Sequence, residues 1–256
     1  MRAIRCMLAA FLAAGIVTVV AAQPGTGGFG RGGGDVETLV FTNTALQEEI
    51  KLTDAQKEKL KPIATKYADL TKKGQEMFGK GGKGFDKEKF AEFREEGKKV
   101  GEEAKKVRDD VLTADQKKRL KQIGIQVMGF QVFSDPEAKG GKGGFGGASE
   151  AAKATMKEVQ DALKLSESQT KSVRGAIADY NKERTEINKE AGITFGKAAD
   201  PEKKAAADKK IEKSRKEAWV KIDEALDATQ KTAWKGLVGD AFDTSKLAPA
   251  PAPKKD

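Results

Sequence analysis

The sequence predicts an all-α protein made of two tandem antiparallel helical hairpins, each with a short lead-in helix and a closing helix. Three observations indicate this fold. A helix-start motif occurs four times, in two pairs, and apolar residues recur at helical spacing between its copies. No window alternates apolar and polar residues as a half-buried strand does. Charged residues make up 34% of the chain and aromatic residues 6%, which favours long exposed helices over a thick core.

The N-terminus predicts a cleaved secretory signal peptide over residues 1–22. Two arginines precede an apolar stretch at residues 7–20, and the small residues at 20–22 suit a cleavage site. Cleavage would leave Gln23 as the mature start, remove the single cysteine, Cys6, and lower the formal charge from +9 to +7. An uncleaved anchor is the alternative interpretation. We therefore expect a periplasmic or secreted protein with no transmembrane helix after cleavage.

Composition divides the mature chain into two repeats and three low-complexity segments. Residues 23–35 form a Gly-rich leader, residues 137–149 a Gly/Lys linker and residues 247–256 a Pro/Ala-rich tail. Such leader and tail sequences are expected to be disordered. The linker separates helical repeat 1, residues 36–136, from helical repeat 2, residues 150–246.

The two repeats are related by duplication. The two tyrosines of the chain, Tyr67 and Tyr180, lie 113 residues apart, and the residues around the first and third motif copies align at the same offset. Within each repeat the pattern predicts a lead-in helix, a long helix, a Gly-bearing tip, a second long helix and a closing helix. The apolar seams step by three and four residues, as in coiled-coil-like antiparallel pairs.

The repeated motif is Leu, then a short oxygen-bearing residue, two variable residues and Gln. Its last four residues form a capping box, in which the short side chain accepts a hydrogen bond from the backbone N–H three residues on and the Gln reaches back to the cap's own N–H. The Leu is expected to end the preceding helix and to pack into a shared junction. The twelve motif residues are Leu52, Thr53, Gln56, Leu112, Thr113, Gln116, Leu165, Ser166, Gln169, Leu226, Asp227 and Gln230.

Two L-T-x-x-Q motifs about 60 residues apart, on a helical, exported, cysteine-poor chain, resemble the Spy/CpxP-like LTxxQ-motif family of bacterial periplasmic proteins. Residues 52–56 and 112–116 match strictly, whereas the third copy has Ser166 and the fourth Asp227 in place of Thr. The resemblance implies helical hairpins that pair into a thin, curved dimer. It also implies ATP-independent chaperoning of unfolded or stressed envelope proteins, or a stress-sensor accessory role beside a membrane partner. Two tandem copies imply a monomer acting as a fused pseudo-dimer, or a homodimer.

A structural or polyanion-binding envelope protein is the main alternative function. The Gly-rich tip and linker carry Lys80, Lys83, Lys139 and Lys142, which are candidate contacts to anionic polymers. Specific nucleic-acid binding is not expected, because the predicted signal peptide directs the chain away from nucleic acid.

The chain has few of the residue types that catalysis or metal binding usually requires. The chain has no His, and its Cys lies in the predicted signal peptide, so the borderline and soft metal ligands are missing. The stretch from Gly74 to Lys80 imitates a P-loop, but Gly81 replaces the required Ser or Thr. We predict no enzyme, no catalytic residues, no metal site and no cofactor.

Overall fold

The computed structural model describes residues 36–78, 86–137, 149–194 and 199–247, and confirms the all-α prediction, with no strand among these residues. The helices are α1 Val36–Leu39, α2 Thr44–Glu49, α3 Asp54–Phe78, α4 Lys87–Val111, α5 Ala114–Met128, α6 Glu150–Leu163, α7 Glu167–Glu190, α8 Pro201–Ala225 and α9 Ala228–Val238. Short 3-10 turns span Gly129–Phe133 and Thr244–Leu247. Within the described ranges, none of the helices combines the length and apolarity that crossing a membrane requires.

Several predicted features lie outside the described residues. They are the signal peptide (residues 1–22), the leader (23–35), the first tip (79–85), residues 138–148 of the linker and residues 248–256 of the tail. The four lysines predicted to contact polyanions, Lys80, Lys83, Lys139 and Lys142, are among them.

The first compact unit contains the described residues from Val36 to Gly124, together with Lys246 and Leu247. Its long helices α3 and α4 pack against each other. Lys66 pairs with Glu103 at 2.5 Å and Lys73 with Glu96 at 2.6 Å. Because later residues of α3 meet earlier residues of α4, the two helices run antiparallel. Their apolar seam buries Leu60, Ile63 and Leu70 of α3 and Val100 and Ala104 of α4.

The second compact unit contains the described residues from Ile125 to Ser245. Here α7 and α8 pack together. Asp179 lies 3.7 Å from Lys221, and the hydroxyl of Ser214 donates to Glu183 at 2.5 Å, so these helices are also antiparallel. An apolar cluster contributed by α6 to α9 and by residues 125–133 forms the core: Ile125, Val132, Phe133, Val159, Leu163, Val173, Ala176, Trp219, Ile222, Leu226, Trp234 and Val238.

The boundary between the compact units lies at Gly124, inside α5, and not at the Gly/Lys linker that the sequence suggested. Residues 125–133 belong to repeat 1 in sequence, yet Val132 and Phe133 are buried in the second unit. The physical reason is that this segment is rich in large apolar side chains, which stabilise whichever core they enter. Phe130 also contributes, with its ring centroid 4.7 Å from that of Trp219 and 5.1 Å from that of Tyr180.

The end of repeat 2 departs from its prediction in a similar way. The sequence predicts Leu247 to be in the disordered tail, but it lies in a 3-10 turn, is buried and belongs to the first unit. In that unit the side-chain amide of Asn43 donates to the carbonyl of Lys246 at 2.9 Å. Each unit therefore contains a short segment from the sequence of the other repeat.

Aspartates begin the second long helix of each repeat. Asp86 caps α4 and Asp200 caps α8, each accepting hydrogen bonds from the backbone N–H groups two and three residues on. The N–H of Lys89, and then that of Glu88, stabilises the carboxylate of Asp86 and lowers its pKa. The pKa of Asp200 is lowered in the same way, chiefly by the N–H of Lys203.

Candidate functional site: the paired motif junctions

The two motifs of the first unit form capping boxes at the starts of α3 and α5. The backbone N–H of Thr53 donates to Oε1 of Gln56 at 3.0 Å, and the N–H of Gln56 donates to the Thr53 hydroxyl at 3.3 Å. Thr113 and Gln116 make the same two contacts, at 3.0 Å and 3.3 Å. Each box therefore satisfies two backbone donors that a helix start leaves without a partner.

The two glutamines also bond directly to each other. Nε2 of Gln56 donates to Oε1 of Gln116 at 2.8 Å, and Nε2 of Gln116 donates to Oε1 of Gln56 at 3.1 Å. Each amide gives its second proton to the backbone just before the other motif, at the carbonyl of Val111 (2.8 Å) and of Lys51 (3.2 Å). Each side-chain amide thus donates twice, and its oxygen accepts both from its own motif's backbone N–H and from the other glutamine. The amide pair joins two helix starts that are 60 residues apart.

The second unit repeats this arrangement. Ser166 with Gln169 and Asp227 with Gln230 form complete capping boxes at the starts of α7 and α9. The Gln169 and Gln230 amides exchange hydrogen bonds of 2.7 Å and 3.0 Å. Nε2 of Gln169 also donates to the carbonyl of Ala225 at 2.9 Å, and Nε2 of Gln230 to that of Leu163 at 3.0 Å. The departures from Thr in these copies leave the geometry unchanged, because Ser and Asp supply the same acceptor.

The motif leucines directly precede the capping residues. Leu52, Leu112 and Leu226 are buried, whereas Leu165 is only half-buried. The residue before the first motif Leu of each repeat has left-handed backbone, with φ of 54° at Lys51 and 45° at Lys164. Left-handed backbone is common at helix ends but is usually occupied by Gly or Asn, so two lysines at matching positions are unusual.

The paired amides are suited to a structural role. All the hydrogen-bonding capacity of the four glutamine side chains is used within the junctions, so none of it is left for a ligand. Sequence reasoning identified the boxes but missed the amide pairs. The available signal was the nearly equal spacing of the motif copies, 60 residues in one repeat and 61 in the other.

The described surface between α3 and α4 carries charges of both signs. Among large apolar side chains in the described part of the chain, Val220 is the exposed one, at 46%. A groove of about 510 Å³ between α3 and α4 is lined by Lys66, Asp69, Lys72, Lys73, Glu76, Glu96, Lys99, Val100 and Glu103. Two of its lysines are already paired with glutamates across the groove.

The described residues contain no candidate metal site. No group of three or more Asp, Glu, Cys or His side chains converges there in a way that could hold an ion.

Neither protein-family models, nor curated proteins, nor solved structures give a match to this chain. The likeness to the LTxxQ-motif proteins therefore depends on the motif residues and their spacing.

Proposed function

We propose that this protein is an exported, ATP-independent chaperone-like protein that binds unfolded or stressed envelope proteins. The proposal is supported most directly by the four motif copies, which form the same two-box junction once in each repeat. The same motif, at the same spacing, is the one that characterises the Spy/CpxP-like family. The predicted signal peptide supports an envelope location.

The surface chemistry supports a weak and general mode of binding. Lysines and glutamates alternate over long exposed helices, and the formal charge expected after signal cleavage is +7, the +9 of the full chain less two arginines. A positively charged chain attracts acidic unfolded clients over a distance set by the screening length, about 8 Å at physiological ionic strength. Short-range contacts with half-buried apolar side chains then hold the client loosely.

Aggregation of unfolded clients tests this proposal. The chain beginning at Gln23 should suppress the aggregation of several chemically unfolded proteins without ATP. Suppression should weaken with salt, since screening shortens the reach of charge from about 30 Å at 0.01 M to about 3 Å at 1 M. An unrelated helical protein of similar net charge is the control. Unchanged client aggregation at a stoichiometric excess of the chain would refute the proposal.

Polyanion binding is the rival proposal, favoured by the lysines of the Gly-rich tracts. Replacing Lys80, Lys83, Lys139 and Lys142 by Gln should weaken retention on anionic envelope polymers and leave client aggregation nearly unchanged. If the same replacement abolishes suppression of aggregation, the two activities share one surface.

A further inference from the structure

The second unit carries an open groove beside its first motif. The groove has a volume of about 400 Å³ and is lined by Leu165, Glu167, Thr170, Lys171 and Arg174. Lys171 and Arg174 are exposed, and neither makes an ion pair with any described residue. Leu165 is half-buried and supplies an apolar contact surface beside the two cations.

The corresponding surface of the first repeat is neutralised internally. At the 113-residue offset, Lys171 corresponds to Glu58 and Arg174 to Lys61. Glu58 and Lys61 form an ion pair of 2.5 Å, one helical turn apart. Duplicated helices thus present one closed ion pair in repeat 1 and two adjacent cations in repeat 2.

A third cation lies next to the groove. Lys164 directly precedes Leu165, is exposed and has left-handed backbone, with φ of 45°. The ionisable side chains that line the groove are Glu167, Lys171 and Arg174, which have a formal net charge of +1. Including Lys164 raises the formal net charge to +2. Charge complementarity therefore favours an anionic occupant.

We propose that this groove binds an acidic segment of an unfolded polypeptide, with a carboxylate between Lys171 and Arg174 and a neighbouring apolar side chain against Leu165. A guanidinium and an ammonium one turn apart suit a carboxylate, because Arg can donate two parallel hydrogen bonds and Lys a third. This site assignment rests on the proposed function, and it gives the client a chemical class.

The test uses calorimetry to measure how tightly the chain beginning at Gln23 binds a short unstructured peptide. The peptide is made of Glu and Ser with a single Leu. Lys171→Glu would place a carboxylate one turn before Arg174 and copy the closed pair of repeat 1. At low salt it should weaken peptide binding about three- to tenfold, as expected for the loss of one or two exposed charge contacts. A peptide with Lys in place of Glu should not bind.

The control is Lys182→Glu, which changes the net charge equally. Its side chain is exposed on the same helix, 11 residues or about 16 Å from Lys171. Lys182→Glu should leave the affinity within twofold of wild type. If Lys171→Glu and Lys182→Glu weaken binding equally, net charge alone attracts the peptide and the groove assignment is wrong.

Glu58→Lys is the converse substitution, designed to create a peptide site in repeat 1. It should break the Glu58–Lys61 pair and place two cations one turn apart on α3. We expect a second peptide to bind there more weakly than at the groove of repeat 2, because Leu52 is buried and cannot offer the apolar contact that Leu165 supplies. Unchanged stoichiometry would contradict the comparison between repeats on which the site is argued.

The site and the proposed function can fail separately. If the chain binds the acidic peptide through Lys171 but does not suppress aggregation, the site proposal is supported and the chaperone proposal is wrong. If Lys171→Glu and Lys182→Glu suppress aggregation equally well, the chaperone proposal is supported and the site proposal is wrong.

Discussion

The amide pair of the second unit predicts that Gln230→Ala destabilises the protein by more than a lost helix cap. The substitution removes four hydrogen bonds: to the N–H of Asp227, to the carbonyl of Leu163, and one in each direction with Gln169. Gln230 is only 8% exposed, so water reaches the abandoned groups poorly.

The expected magnitude follows from these bonds. A net hydrogen bond contributes about 0.5–1.5 kcal/mol, and a buried group left without a partner costs about 1–3 kcal/mol. Some rehydration and the higher helix propensity of Ala offset part of this loss. We expect the free energy of unfolding to fall by about 2–4 kcal/mol, compared with about 1 kcal/mol for a cap alone.

The assay is denaturant unfolding followed by circular dichroism, for Gln169→Ala, Gln230→Ala and the double variant. Because the two amides bond to each other, the double variant should lose about 1–2 kcal/mol less than the sum of the singles. The matched control is Gln116→Ala in the first unit. Its donation to Lys51 is exposed, whereas that of Gln230 to Leu163 is buried, so Gln116→Ala should cost less.

Two results would refute this reasoning. One is a loss of 1 kcal/mol or less for Gln230→Ala, the amount that a cap alone would give. The other is strict additivity in the double variant, which would mean that the two motif copies act independently.

Three further predictions follow from single features. Lys51→Gly should raise the free energy of unfolding by about 1 kcal/mol, because Gly removes the cost of left-handed backbone, and a destabilised variant would contradict this. Phe133→Ala should cost about 3–5 kcal/mol in unfolding followed by the fluorescence of Trp219 and Trp234, and a loss under 1 kcal/mol would place Phe133 outside the second core. The cap at Asp86 has a lowered pKa, so its contribution is complete above the usual value of 3.8 and disappears as the pH falls through the folded pKa. Asp86→Asn keeps a hydrogen-bond acceptor that does not titrate, so the free energy of unfolding, measured from pH 6 to 2, should fall less steeply than in the wild type. The same fall with pH in both proteins would contradict this.

The local parts of the fold could be predicted from the sequence because their signals are local. A capping box needs a short acceptor and a Gln three residues apart, so Thr53 with Gln56 marks the start of α3 without any tertiary information. The burial of Leu52 follows from its place between two helices. Apolar residues at helical spacing were enough to predict the long helices.

The tertiary parts could not be predicted in the same way. Nothing near Gln56 in the sequence names Gln116 as its partner, since the amide pair forms only when two distant helix starts meet. Residues 125–133 look equally apolar whether they enter one core or the other, so the unit boundary at Gly124 had no local signal. Lys171 and Arg174 differ from their repeat 1 counterparts in lacking an ion pair among the described residues, and an ion pair is a property of the folded chain.

The proposed chaperone-like function can be tested by measuring the binding of one client protein in its unfolded and its folded state. A protein that can be held permanently unfolded in native buffer, by reduction and alkylation of its disulfides, is compared with its folded form by calorimetry against the chain from Gln23. We expect the chain to bind the unfolded form without ATP, with an affinity that falls with salt, and to show no measurable binding of the folded form. Equal affinity for both forms, or for neither, would contradict it.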